Sequence, residues 1–246
     1  NHPGLRNFEA TARATWPTQP PKIERVTLAE WADQVRIPAA QISPALAEVL
    51  VRGTSRSLLD LANSAETAVS STLLPGVQVD LTTSVDRHVV VGYNVLGMIE
   101  GADPALKDES VILSGHHDHL GTDDAGVSLN GADDNLSGVV AVIDQAEAYA
   151  QAAKAGKRPA RSVIFVSFDA EERGLLGAWA YTEHPTLPLD KIVAVLNMDL
   201  IGRSEEAVAD PRDGRFRGLT PQSADQNRNS INVLGETRFP WLKAQV

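Results

Sequence analysis

Two rhythms of apolar residues run through the second half of the chain. The segments 110–115 (SVILSG), 162–168 (SVIFVSF) and 192–198 (IVAVLNM) are short apolar runs bounded by polar residues, the pattern of strands buried in a sheet. Between the first two, Val139, Val140, Ile143, Ala146 and Ala150 recur at helical spacing, which predicts a helix over 136–155 closed by Gly156. A shorter helix is expected over 174–183. Strands alternating with helices imply an α/β fold: a mixed, mostly parallel sheet sandwiched between helices.

The first part of the chain is less regular. Residues 1–36 are rich in Pro, Thr and Arg and read mostly as loop. Ser43-Pro44 marks a helix start, with Ser as the cap and Pro at the first helical position, and Gly53 closes that helix. Thr54 or Ser55 is expected to cap a second short helix reaching about Ala65. Val77, Val79 and Leu81 alternate with polar residues and VVVGYNVLGMI (89–99) follows a turn-like Ser84-Val85-Asp86-Arg87, so two strands are expected over 77–99. Beyond Ile201 a polar, Arg-rich stretch runs to about Asn229, too long for a plain connection, so it is expected to border a cleft. A strand at 230–234 and the start of a helix follow. The organisation expected is a partial accessory region over 1–72 and a main domain over 73–246. The chain opens Asn1-His2-Pro3 rather than Met and stops within a helix-like pattern, which reads as a fragment or processed product.

Composition narrows the chemistry. Twenty-two Lys and Arg stand against 32 Asp and Glu, a net charge of −10, which argues against a nucleic-acid or anionic-membrane surface. With no cysteine, disulfides, thiolate-bound zinc and a thiol nucleophile are excluded. No apolar run approaches the roughly 18 residues of a membrane span. Any metal must be held by His, Asp and Glu.

Functional groups in open α/β sheets gather beyond the carboxyl ends of the strands. The first strand delivers His116-His117-Asp118-His119 there, the second Asp169-Ala170-Glu171-Glu172 and the third Asp199. Asp133-Asp134-Asn135 enters the long helix near the same edge. Each cluster alone reads as a solvated loop, and Asp133 and Asp134 alone as helix caps; His88 and His184, with no acidic cluster beside them, read as structural. Together the clusters put so many carboxylates on one rim that they would raise one another's pKa values, and a pair of divalent cations is the simplest remedy. Other site patterns fail. There is no phosphate loop, no G-x-S-x-G elbow and no H-E-x-x-H helix. His117-Asp118-His119 offers an H-x-H start, but Gly121 and Thr122 stand where an Asp-His pair should follow.

The strings SGHHDHLG (114–121), NGADDNLSG (130–138), FDAEERGLLG (168–177) and LNMDLIG (196–202) closely resemble the motifs of the di-zinc exopeptidases, the family of the bacterial leucyl aminopeptidases and glutamate carboxypeptidases. Order and spacing fit over roughly residues 75–202, Asp134 lying 18 after His116, Glu172 38 after Asp134 and Asp199 27 after Glu172. VRIPAAQISPALAEVLVRG (35–53) more weakly resembles the tail of a protease-associated domain. The resemblance implies that His116 and Asp199 are terminal ligands of one metal, that Asp134 bridges two metals, and that Glu172 binds the second. It makes Glu171 the general base and Asp118 the carboxylate that orients the His116 ring. The second metal's remaining His ligand is expected beyond residue 246. The implied cofactor is zinc, two ions per complete site, with manganese or cobalt as substitutes. The implied partner is a peptide, hydrolysed by a hydroxide bound to both zincs, and the implied location is secreted or periplasmic. Amino- and carboxypeptidase stay open, with a lean to the former. Arg203, Arg212, Arg215, Arg217 and Arg228 could serve a substrate carboxylate or simply be solvated. Two rivals remain, a glutaminyl-cyclase-like acyltransferase with one zinc and a non-catalytic binding relative.

Overall fold

The computed structural model describes residues 26–204 apart from 39, 41, 70, 85 and 124, together with 206, 222–228, 230, 233 and 235. The expected strand over 230–234 and the helix after it lie outside the described residues, as do Arg212, Arg215 and Arg217. The chain divides into two compact units, Asn1–Val90 and Val91–Val246.

In the first unit three short helices are described. α1, Ala29–Gln34, falls in the stretch expected to be loop; Trp31 and Ala32 N–H groups close its first turn on the Leu28 carbonyl, both at 3.1 Å. Six residues are too few for its pattern to stand out of Pro-rich surroundings. α2, Pro44–Val51, begins as expected, with Ser43 Oγ accepting from Leu46 N–H at 3.1 Å. α3, Leu58–Ala65, starts later than expected because its cap is Ser57, not Thr54 or Ser55. Ser57 Oγ accepts from Asp60 N–H at 3.0 Å and Asp60 Oδ2 accepts from Ser57 N–H at 3.1 Å, so two orphan donors are satisfied reciprocally. The Thr54 hydroxyl is engaged in the preceding turn, donating to Val51 O at 2.8 Å.

The second unit is built on a four-stranded sheet. Its strands are β1 Val95–Ile99, β2 Ser110–His116, β5 Ser162–Phe168 and β6 Ile192–Asn197, in the order β1-β5-β2-β6. β2 runs parallel to both β5 and β6, and β1 is antiparallel to β5. The two-residue strands β3, Gly121–Thr122, and β4, Ser128–Leu129, form a small ribbon between β2 and the long helix α4, Gly138–Lys154. α5, Leu176–Glu183, joins β5 to β6.

Alternation along β2 and β5 divides their side chains between two cores. Leu113, Val163 and Phe165 pack with Val142 of α4 and, less deeply, Ala146 and Tyr149. Ile112, Ile164 and Val166 point the other way, toward Tyr181 of α5, with Phe168, Leu187 and Ile192 around them. Full burial of such a side chain stabilises by about 1.5–3 kcal/mol, so the two central strands are the rigid part of the unit. The α/β class, the mostly parallel sheet and helices on both faces all follow from this arrangement.

Only part of the expected 77–99 strand pair forms. Val95–Ile99 takes the open edge of β5, while described residues between Val77 and Asn94 form no ladder. Alternation supplies a face but not a neighbour. At Tyr93 the chain has already turned to other work, its N–H donating to the Asp169 carboxylate at 2.8 Å.

Candidate metal centre

The chain leaves β2 for α4 and β5 on one side, then returns through α5 to β6 on the other, so β2 lies where the strand order reverses. Ligands bind at such a point, beyond the carboxyl ends of the strands. His116 is the last residue of β2 and only 3% exposed. Its Nδ1 lies 3.1 Å from the main-chain oxygen of Asp118, which can only accept, so in the neutral ring Nδ1 carries the hydrogen. Nε2 is thereby left as a lone-pair donor facing three carboxylates. It lies 3.2 Å from Asp134 Oδ1, 3.7 Å from Asp199 Oδ1 and 3.8 Å from Glu171 Oε2.

Asp134 is set there by its neighbours. It sits in an irregular turn, Ala132–Ser137, before α4, with a cis peptide to Asn135. Asn135, 1% exposed, donates from Nδ2 to Met198 O at 2.9 Å and accepts at Oδ1 from Gly138 N–H at 3.1 Å. Ser137 Oγ accepts from Ile201 N–H at 3.1 Å and Asp133 Oδ1 from Gly202 N–H at 2.9 Å. Three side chains flanking Asp134 thus tie this turn to the segment that carries Asp199. Gly138 makes the approach possible, since a Cβ there would stand 2.4 Å from Met198 O.

The acidic pair after β5 is aimed by a sharp turn. Ala170 takes a left-handed φ of 52°, and Asp169 braces it by accepting from Ala170 N–H at 2.8 Å. Asp118 then anchors both glutamates, its Oδ1 accepting from Glu171 N–H at 2.8 Å and its Oδ2 from Glu172 N–H at 3.1 Å. Its carboxylate stands off the His116 ring, 3.5 Å from Nδ1. The closer contact to the ring comes from the Asp118 main chain, and the carboxylate serves the glutamate turn.

Two triads of donors result. His116, Asp134 and Asp199 place ligand atoms within 4.8 Å of one another, and so do His119, Asp134 and Glu172. Asp134 belongs to both. His119 was not singled out by sequence reasoning; its Nδ1 lies 2.7 Å from Glu172 Oε1. The signal was present in the His-rich string at 116–119, but only a folded loop shows which imidazole faces which carboxylate. His117 turns elsewhere, its Nδ1 2.9 Å from Ser167 Oγ.

The donor chemistry fits a small divalent ion. Two tetrahedral ligands at 2.0–2.1 Å from zinc stand about 3.4 Å apart, and the 3.2 and 3.7 Å spacings around His116 Nε2 bracket that edge. Electrostatics agree. Burial raises the Glu171 pKa above the usual carboxylate value, and Glu172, Asp199 and Asp118 add to it against the opposing pull of His116. Burial likewise raises Asp199, with Asp134 and Glu172 adding and His116 opposing. Carboxylates so placed favour a compensating cation.

With this geometry in view, comparison with known proteins is direct. The profile of peptidase family M28 matches residues 94–235, more than half of the chain and all of the site. The chain belongs to peptidase family M28. This M28 chain is 31% identical over 191 residues to a probable glutamate carboxypeptidase of Arabidopsis thaliana, covering 76% of this chain and 24% of that protein. It is 36% identical over 127 residues to a mouse (Mus musculus) aminopeptidase, covering 51% and 16% of the two chains. It is also 36% identical over 112 residues to leupeptin-inactivating enzyme 1 of Streptomyces exfoliatus, covering 45% and 23%. The M28 chain therefore spans about a quarter or less of the length of these relatives.

Proposed function

We propose that this chain carries the catalytic centre of a zinc-dependent exopeptidase that removes residues from the amino end of peptides. The observation that carries the reading is the pair of donor triads joined at Asp134, with Glu171 beside them. His116, Asp134 and Asp199 would hold one zinc, and Asp134 and Glu172 would contribute to the second. Bound there, two dications would polarise a scissile carbonyl and lower the pKa of water to about 7.

The remaining work falls to the protein. Glu171 lies on the rim without belonging to either triad, so its carboxylate is free to take a proton from water and pass it to the departing amine. Its raised pKa, caused first by burial, brings it nearer the value a general base needs at neutral pH. Asp118 acts as a positioning residue, fixing the Glu171 and Glu172 backbone while its carbonyl sets the His116 tautomer.

The aminopeptidase choice rests on charge. Among the described residues, the groups that shift Glu171 and Asp199 are His116 and carboxylates, a rim suited to a substrate ammonium. A mouse relative is named an aminopeptidase. The name of the Arabidopsis relative favours the alternative, a carboxypeptidase. A panel of short peptides decides between them. For an aminopeptidase, N-acetylation blocks cleavage and C-amidation leaves it unchanged. The reverse pattern assigns a carboxypeptidase, and cleavage that survives a chelator overturns the metal-dependent reading.

A further inference from the structure

We infer that His119 is a metal ligand, supplying through Nδ1 the imidazole of the second zinc site, so that His119, Asp134 and Glu172 form a three-donor set within this chain. The inference rests on the metal-dependent reading above and adds to it the identity of a donor.

The geometry of His119 is that of a built position rather than a passing contact. Its Nδ1 stands 2.7 Å from Glu172 Oε1, and both side chains are largely shielded, at 21% and 16% exposure. The two groups come from separate loops, one after β2 and one after β5, and both meet the Asp134 turn. Gly131, which opens that turn, lies directly against the imidazole. A Cβ at Gly131 would stand 2.9 Å from both Cβ and Cγ of His119, and the residue has a φ of +63° that side chains rarely adopt. The loop is thus shaped to let the ring in beside Asp134.

Chemistry supports the same assignment. A hydrogen bond from a ring N–H to a carboxylate and joint coordination of a cation use the same two atoms facing each other. Moving from 2.7 Å to the roughly 3.4 Å of a tetrahedral edge needs less than an ångström of adjustment. Three protein ligands with a fourth position left open is the usual arrangement of a catalytic zinc site. The second triad then matches the first, each having one imidazole, one carboxylate of its own and the shared Asp134.

The alternative role for His119 is to hold Glu172 by a hydrogen bond without touching metal. Zinc titration of the metal-free full chain separates the two, with wild type compared to His119→Ala, His119→Asn and Asp199→Ala. Asn keeps an N–H donor for Glu172 but offers no imidazole nitrogen. We expect two zincs in wild type, and in both His119 variants one zinc at wild-type affinity with the second weakened more than 100-fold. That exceeds the 10–100-fold cost of losing an outer partner. Asp199→Ala should weaken the other zinc. In the Co²⁺-loaded protein, shifted ring protons should come from two imidazoles in wild type and from one in the His119 variants. Retention of the first zinc shows that the variants are folded. A second zinc in His119→Asn within about 10-fold of wild type overturns the ligand assignment and leaves the exopeptidase reading standing. A wild-type chain that binds no zinc removes both.

Discussion

The two donor triads share one carboxylate but are mounted differently. His116 ends β2, the central strand, and is nearly sealed from solvent. Its partner Asp199 follows β6 by two residues, so sheet register and the Asn135 and Ser137 clamps fix the spacing. His119 and Glu172 instead sit three and four residues past their strands, on loops that meet through Asp118, Gly131 and each other. A site on strand ends is preorganised by the core, whereas a site on loops depends on the contacts that hold the loops. The first triad should therefore bind zinc more tightly, and the second should be the more sensitive to changes outside the donors.

The strongest way to break this comparison is to remove what the triads have in common. Asp134→Ala should empty both sites and abolish turnover, which elemental analysis and a peptide assay would read together. Either triad holding zinc at wild-type affinity in that variant would show that Asp134 is not shared. Next in size, Glu171→Gln should keep both metals while lowering kcat by about 10²–10⁴-fold, the usual contribution of a positioned acid–base group. An active Glu171→Gln protein would place the proton transfer elsewhere.

The first triad was far more legible in the sequence than the second. Periodicity located β2, β5, β6 and α4, and the rule that sites collect at carboxyl ends brought His116, Asp134, Glu171, Glu172 and Asp199 to one rim before any coordinates. His119 stayed hidden because two loops, not a strand register, bring it to Glu172, and loop conformation leaves no period in a sequence. The same limit explains the edges of the fold. Val89, Val90 and Val91 carry strand-like residues yet have no ladder among the described residues, because a strand also needs a neighbour to accept it. The α3 cap fell on Ser57 because Asp60 stands three residues on, a reciprocal pairing that a closer reading of the sequence could have found.

A smaller effect sharpens the contrast in mounting. Asp118→Asn leaves every donor in place but replaces one acceptor of the Glu171 and Glu172 amides with an amide that cannot accept. Loss of such an outer partner costs about 10–100-fold in affinity or activity. The second zinc should take most of it, since Glu172 belongs to that triad. Equal weakening of both zincs would mean that the Asp118 carbonyl on His116 matters as much as its carboxylate.

The smallest effect is one of stability and pH. In the metal-free protein burial raises the Glu171 pKa above its ordinary 4.5, so the folded state holds a proton that the unfolded chain has lost. A group of that sign makes the fold less stable as pH rises from its unfolded pKa through its folded one. Glu171→Gln removes the titration. In urea unfolding without metal, the variant and wild type should share a midpoint near pH 4, about where Glu171 is protonated in both states. The variant should then unfold at higher urea than wild type near pH 7, where the wild-type carboxylate is charged in a partly desolvated, acidic setting. Zinc should narrow the gap, because the charge then faces cations. A gap that is the same at both pH values, or unmoved by zinc, would mean that Glu171 is held by something other than its charged surroundings.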